Sequence, residues 1–155
     1  MKPTLLFIIF TLILLGCNSS DHQSLTFEKI EGNWYFIDTI CDPDPNAENK
    51  NYVELTFTDS LLIYYAFYPG LGPMYWPYEL TSDSLIINGE DTVFIKLIDD
   101  NKISLGVYCN PSLTYELLRM PDSENTLKEC KIECDLDDFI QANYERRMQV
   151  ITDLL

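Results

Sequence analysis

The chain has 155 residues, enough for one domain with a sizeable core. Its 10 Lys and Arg stand against 25 Asp and Glu, a net charge of −15. Nucleic-acid phosphates and anionic membrane surfaces demand the opposite sign, so the composition argues against both as electrostatic partners; the acidity reads first as a solubilising device.

Met1 and Lys2 give a positive start, and Leu5 to Leu15 is apolar except for Thr11. This run has the length of a signal-peptide core and falls short of the roughly 20 residues of a spanning helix. It ends in LLGC, Leu14 to Cys17, followed by the polar NSSDHQS. The pattern resembles the lipobox of bacterial lipoproteins. That resemblance implies a signal peptide over 1–16, cleavage before Cys17, a diacylglycerol on its sulfur and, usually, a palmitate-like acyl group on its new amino group. Residues 17–24 then form a lipidated, flexible tether. Two or three acyl chains, at about 0.8 kcal/mol per buried CH₂, anchor a protein effectively permanently. The expected location is the bacterial cell envelope, in the outer membrane, facing the periplasm or the cell surface. Loss of Lys2 with the leader leaves 9 basic and 25 acidic side chains, a net charge of −16.

From Leu25 the chain becomes a series of short strand-like runs separated by turn chemistry. LTFEKIEG, Leu25 to Gly32, predicts a short helical turn. NWYFIDTI, Asn33 to Ile40, is the first strand, followed by a loop rich in Asp, Asn and Pro. In YVELTF, Tyr52 to Phe57, apolar Val53, Leu55 and Phe57 alternate with Glu54 and Thr56, which predicts a half-buried strand. LLIYYAFY, Leu61 to Tyr68, is apolar on both faces. A stretch dense in aromatics, Pro and Gly follows, from Phe67 to Leu80, and Trp76, Tyr78 and Leu80 suggest a fourth strand within it. Leu85 to Asn88, Thr92 to Ile98, Ile103 to Tyr108 and Thr114 to Met120 complete eight runs. Asn88-Gly89 between two of them is the strongest short hairpin signal available. Consecutive hairpins of this kind predict an all-β, eight-stranded, up-and-down antiparallel barrel over residues 25–120, closed so that no edge is exposed.

Residues 121–155 differ. A polar, cysteine-bearing linker leads to DLDDFIQANYERRMQVITDLL, which predicts a C-terminal helix capped by Asp135. Leu136, Phe139, Ile140, Tyr144, Met148 and Ile151 recur at helical spacing, a stripe expected to pack on the barrel.

Gly32-Asn33-Trp34 opens the first strand just after the helical turn, and Arg119 sits near the end of the last. This arrangement resembles the lipocalin and lipocalin-like families, and among them the small lipocalin-like lipoproteins of Bacteroidetes-type bacteria. The resemblance implies a closed base at which Arg119 stacks on Trp34. If the first strand rises from that base, loops alternate between ends. The Asp-rich loop, the aromatic stretch, the Asn-Gly turn and the segment after Cys109 then share the open mouth.

With Cys17 lipidated, Cys41, Cys109, Cys130 and Cys134 remain, and an even number in an oxidising envelope suggests two disulfides with three possible pairings. Cys41 and Cys109 both fall at the mouth, which favours Cys41–Cys109 with Cys130–Cys134; the rival pairing ties the tail to Cys41 or Cys109.

Enzyme signatures are thin. His22, in the tether, is the single histidine, so the domain has no histidine-based triad or general base. Neither a Gly-rich phosphate loop nor a serine nucleophile elbow is present. Asp42, Asp44 and Glu48 offer hard oxygen ligands but lack the glycine and spacing of an EF-hand loop. The expectation is a protein with no enzymatic activity, no cofactor and no metal. Tyr68, Met74, Tyr75, Trp76 and Tyr78 are candidates to line or lid an apolar pocket for a small hydrophobic or amphipathic molecule. The other possibility is that these aromatics fill a solid barrel. In that case the anchored domain is a structural or interaction subunit that presents its loops and helix to another envelope protein.

Overall fold

The computed structural model describes residues 25–41, 51–66, 71–121, 123–129 and 135–153. A single turn of helix, α1 (Phe27–Ile30), leads into eight strands. These are β1 (Gly32–Asp38), β2 (Asn51–Phe57), β3 (Leu61–Ala66), β4 (Met74–Leu80), β5 (Ser84–Ile87), β6 (Asp91–Asp99), β7 (Lys102–Val107) and β8 (Asn110–Arg119). Each pairs antiparallel with the next, and β8 returns to β1 to close the barrel. The C-terminal helix α2 spans Leu136–Asp153. Among the described residues, no helix is long and apolar enough to cross a membrane.

Local chemistry explains the elements. Glu90 N–H donates to the Ile87 carbonyl, and Asn88 and Gly89 both take positive φ, 55° and 73°, as a tight hairpin turn with strand-matched twist requires. At the other end, Thr58 Oγ1 caps the β2–β3 turn by accepting from Leu61 N–H at 3.0 Å. Asp135 caps α2, its Oδ1 accepting from Asp137 N–H at 3.0 Å.

Alternation fixes what faces inward. Trp34 pairs with Leu55 and Phe36 with Val53, so these residues share the inner face, continued by Leu62 on β3, Leu85 on β5, Ile95 on β6, Ile103 on β7 and Leu117 on β8.

The expectation that β2 is half-buried fails. Glu54 and Thr56 face outward, yet they are 1% and 0% exposed. The cause is α2 with residues 123–129, which cover the outer face of β2 and β3. Phe139 packs edge-on against Tyr65 at 4.9 Å and joins Ile63 and Leu127 in a second apolar cluster outside the barrel. Beside it, Arg146 grips Glu54 with two hydrogen bonds, Nε to Oε1 at 2.8 Å and Nη2 to Oε2 at 3.0 Å, and Tyr52 O–H donates to Oε1 at 3.0 Å. Burial alone would lower the Arg146 pKa, but the hydrogen bond and charge of Glu54 raise it.

That ion pair also corrects the helix stripe. The buried residues of α2 are Phe139, Asn143, Arg147 and Ile151. Tyr144 and Met148 are 48% and 40% exposed, as is Leu136 at 44%. The covered stripe lies one residue earlier than expected at two successive turns. The grip of Arg146 on Glu54 fixes the rotation of the helix, a polar constraint that hydrophobic spacing does not encode.

Candidate functional site

The barrel has a packed end and a hollow end. At the packed end Arg119 lies over the Trp34 ring, 4.1 Å from its centroid, and the two residues are paired across the β1–β8 seam. The guanidinium also donates to three carbonyls, those of Asp100 at 2.7 Å, Glu31 at 2.9 Å and Lys29 at 2.7 Å. Trp34 Nε1 donates to the Ile30 carbonyl at 2.7 Å, so the indole is both stacked and satisfied. Gly32 turns the chain into β1 with φ +110°, and a Cβ there would come within 3.4 Å of the Arg119 Nη1. Tyr78 sits at this end too, donating to the Thr58 carbonyl at 2.7 Å. Burial, then the nearby Asp59 and Glu31 charges, push its phenol up to about 12. These residues plug the base of the barrel interior.

The opposite end encloses a cavity of about 380 Å³. Its apolar wall is Phe36, Leu55, Leu62, Val93 and Leu105, and the aromatic rings of Tyr64, Trp76, Tyr108 and Tyr115 line it further. Tyr64 and Trp76 pack as a tilted pair 5.2 Å apart. On β8, four strands away, Tyr115 packs on Phe36 at 4.4 Å. Asp38, Asn88, Asp91 and Cys41 supply the polar part of the lining. Tyr115 O–H donates to Asp38 Oδ1 at 2.6 Å and lies 3.2 Å from Cys41 Sγ. Its phenol is pushed well above the ordinary tyrosine range by burial first, then by the hydrogen bond to Asp38 and its charge.

The seam between β1 and β8 explains why this end is built from side chains. The ladder covers only Trp34↔Arg119 and Tyr35↔Leu118. Beyond it, the Phe36–Tyr115 contact, the Tyr115–Asp38 hydrogen bond and a Cys41–Cys109 disulfide hold the walls together, the disulfide with Cα atoms 6.0 Å apart. The favoured first pairing of the cysteines is therefore present. Cys130 and Cys134 lie outside the described residues, as do Cys17, Tyr68 and the Asp42–Asn49 loop.

The remaining rim candidates separate. Trp76 lines the cavity. Tyr78 faces inward but belongs to the base, and Tyr75 points outward, 45% exposed. Met74 shares the inward parity of Trp76 at the mouth end of β4 without lining the cavity. Successive strand residues point to opposite faces, so Tyr75 and Trp76 cannot both line one pocket. The same parity signal would have brought in Tyr64, which pairs with Met74, and Phe36, two residues beyond Trp34. No local sequence signal marks Asp38 or Tyr115, which become site residues only when β8 closes on β1. No family model, curated protein or solved structure matches the chain, so the geometry of base and mouth carries the functional reading.

Proposed function

We propose that this chain is a non-enzymatic, lipid-anchored envelope protein whose lipocalin-like barrel holds a small hydrophobic or amphipathic molecule in its mouth cavity. The observation that carries the reading is the cavity itself. It is apolar, it opens at the loop-bearing end of a rigid barrel, and its volume of about 380 Å³ falls in the range of small-molecule sites. The anchor part of the reading rests on the LLGC motif at Cys17.

Native mass spectrometry of the oxidised protein, extracted from its host's membranes, tests the ligand. The expected result is a reproducible extra mass that is lost in Leu105→Phe, which places a ring in the cavity. A clean apo mass, with no adduct on adding lipids, would end the ligand reading. Cys17→Ser tests the anchor: the protein should move to the soluble fraction, and a variant still fully membrane-bound and unprocessed would end the lipoprotein reading.

A second reading, an interaction subunit of an envelope complex, is favoured by Leu136, Tyr144 and Met148, all at least 40% exposed on α2. The hollow mouth favours the first.

A further inference from the structure

The polar lining of the cavity has one sign. Asp38 on β1 and Asp91 on β6 both face it, and among the described residues its lining contains no Lys, Arg or His. Asp38 is fixed in place: its Oδ1 accepts from Tyr115 O–H at 2.6 Å, from Ile40 N–H at 2.9 Å and from Cys41 N–H at 3.0 Å. Five aromatic rings border the same space: Phe36, Tyr64, Trp76, Tyr108 and Tyr115. An aromatic face is negative at its centre and attracts a cation, most strongly where water is displaced. An anionic head group would enter beside two carboxylates without a counter-charge, and repulsion grows as the surroundings become less polar. A neutral head would gain hydrogen bonds alone.

We propose that the mouth cavity selects an amphiphile with a cationic nitrogen head, an alkyl- or arylammonium. Its apolar body packs on Leu55, Leu62, Val93 and Leu105, and its head lies among the rings between Asp38 and Asp91. The inference rests on the cavity being a ligand site, and its test separates the two.

Isothermal titration calorimetry on the full chain, disulfide intact, compares three eight-carbon probes: octyltrimethylammonium, octanol and octanoate. The ammonium should bind tighter than octanol by roughly tenfold or more, with octanoate weakest. Asp91→Asn, at an exposed position, and Asp38→Asn should each cut the preference several-fold. Asp83→Asn, on the turn at the base, removes the same charge away from the cavity and should leave the preference intact. If Asp38→Asn melts early, Asp91→Asn decides alone. Equal binding of the three probes, or tightest binding of octanoate, overturns the cationic head while leaving the cavity a ligand site. The same holds if Asp83→Asn erodes the preference as much as Asp91→Asn, which would make it an effect of overall charge. No binding of any probe overturns both.

Discussion

The two ends of the barrel are made from the same alternating strands and do opposite things with them. At the base, Trp34, Phe57, Leu85, Ile103 and Leu117 are fully buried, and every polar atom of the Trp34–Arg119 plug has a partner. At the mouth, inward residues of similar apolarity leave a cavity, and the charged groups that line it among the described residues are acidic. The difference teaches that dense packing and open space are separated along the barrel axis. The base holds the closed shape so that the mouth can stay under-filled, since an empty cavity forgoes packing that would otherwise stabilise the fold.

This separation predicts a hierarchy of effects. The largest belongs to the base. Trp34→Ala should cost about 3–5 kcal/mol, the usual loss for a buried tryptophan, and should be read as an early urea midpoint. If it melts no earlier than Trp76→Ala, the plug is not the keystone of the fold. The disulfide comes next and acts at the mouth. Cys41→Ser with Cys109→Ser opens a loop of 68 residues, for which chain entropy gives a loss of roughly 4 kcal/mol. Exchange should rise at the mouth ends of β1 and β8 and stay low beside Trp34. Third is the outer ion pair. Glu54→Gln leaves Arg146 facing a neutral amide under α2 and should cost roughly 3 kcal/mol, with hydrogen exchange rising first along α2 and β2. Exchange rising equally around the ring would show that the helix is not a separate layer.

The smallest effect is on alkaline stability. Tyr78 at the base and Tyr115 at the mouth both hold their protons more tightly folded than unfolded. Their stabilising contribution is therefore complete below about pH 10, where an unfolded tyrosine begins to ionise, and is lost as pH rises; for Tyr78 the window closes near 12. Thermal midpoints should be flat up to that onset and then fall. Tyr78→Phe should remove part of the fall, and an unchanged slope would place the alkaline sensitivity elsewhere.

Much of the barrel was legible because its information is local. The alternation in β1, the Asn88-Gly89 turn and the Gly32-Asn33-Trp34 start each sit in a few consecutive residues. The layer outside β2 was not legible. Glu54 and Thr56 read as solvent-facing because their cover, Leu127, Phe139 and Arg146, arrives more than 70 residues later. The lining of the cavity is less legible for a related reason. Aromatic density marks 67–80, whereas the lining is assembled by parity from all eight strands and their connections. Among the described residues of that stretch, Met74, Trp76 and Tyr78 share the inward parity, but Trp76 alone lies at the level of the cavity.

The short β1–β8 ladder has one more consequence. Among the described residues, the backbone pairing that joins the first strand to the last is confined to the base, two residue pairs with Met120 N–H donating to the Asn33 carbonyl beside them. Toward the mouth, the Phe36–Tyr115 contact, the Tyr115–Asp38 hydrogen bond and one covalent bond take the place of that ladder. Without that bond the ring can spring open there and become a curled sheet with two free margins, each a template for another copy. Chain made where thiols stay reduced should thus form oligomers more readily than oxidised chain, a difference that size-exclusion chromatography of the two would show.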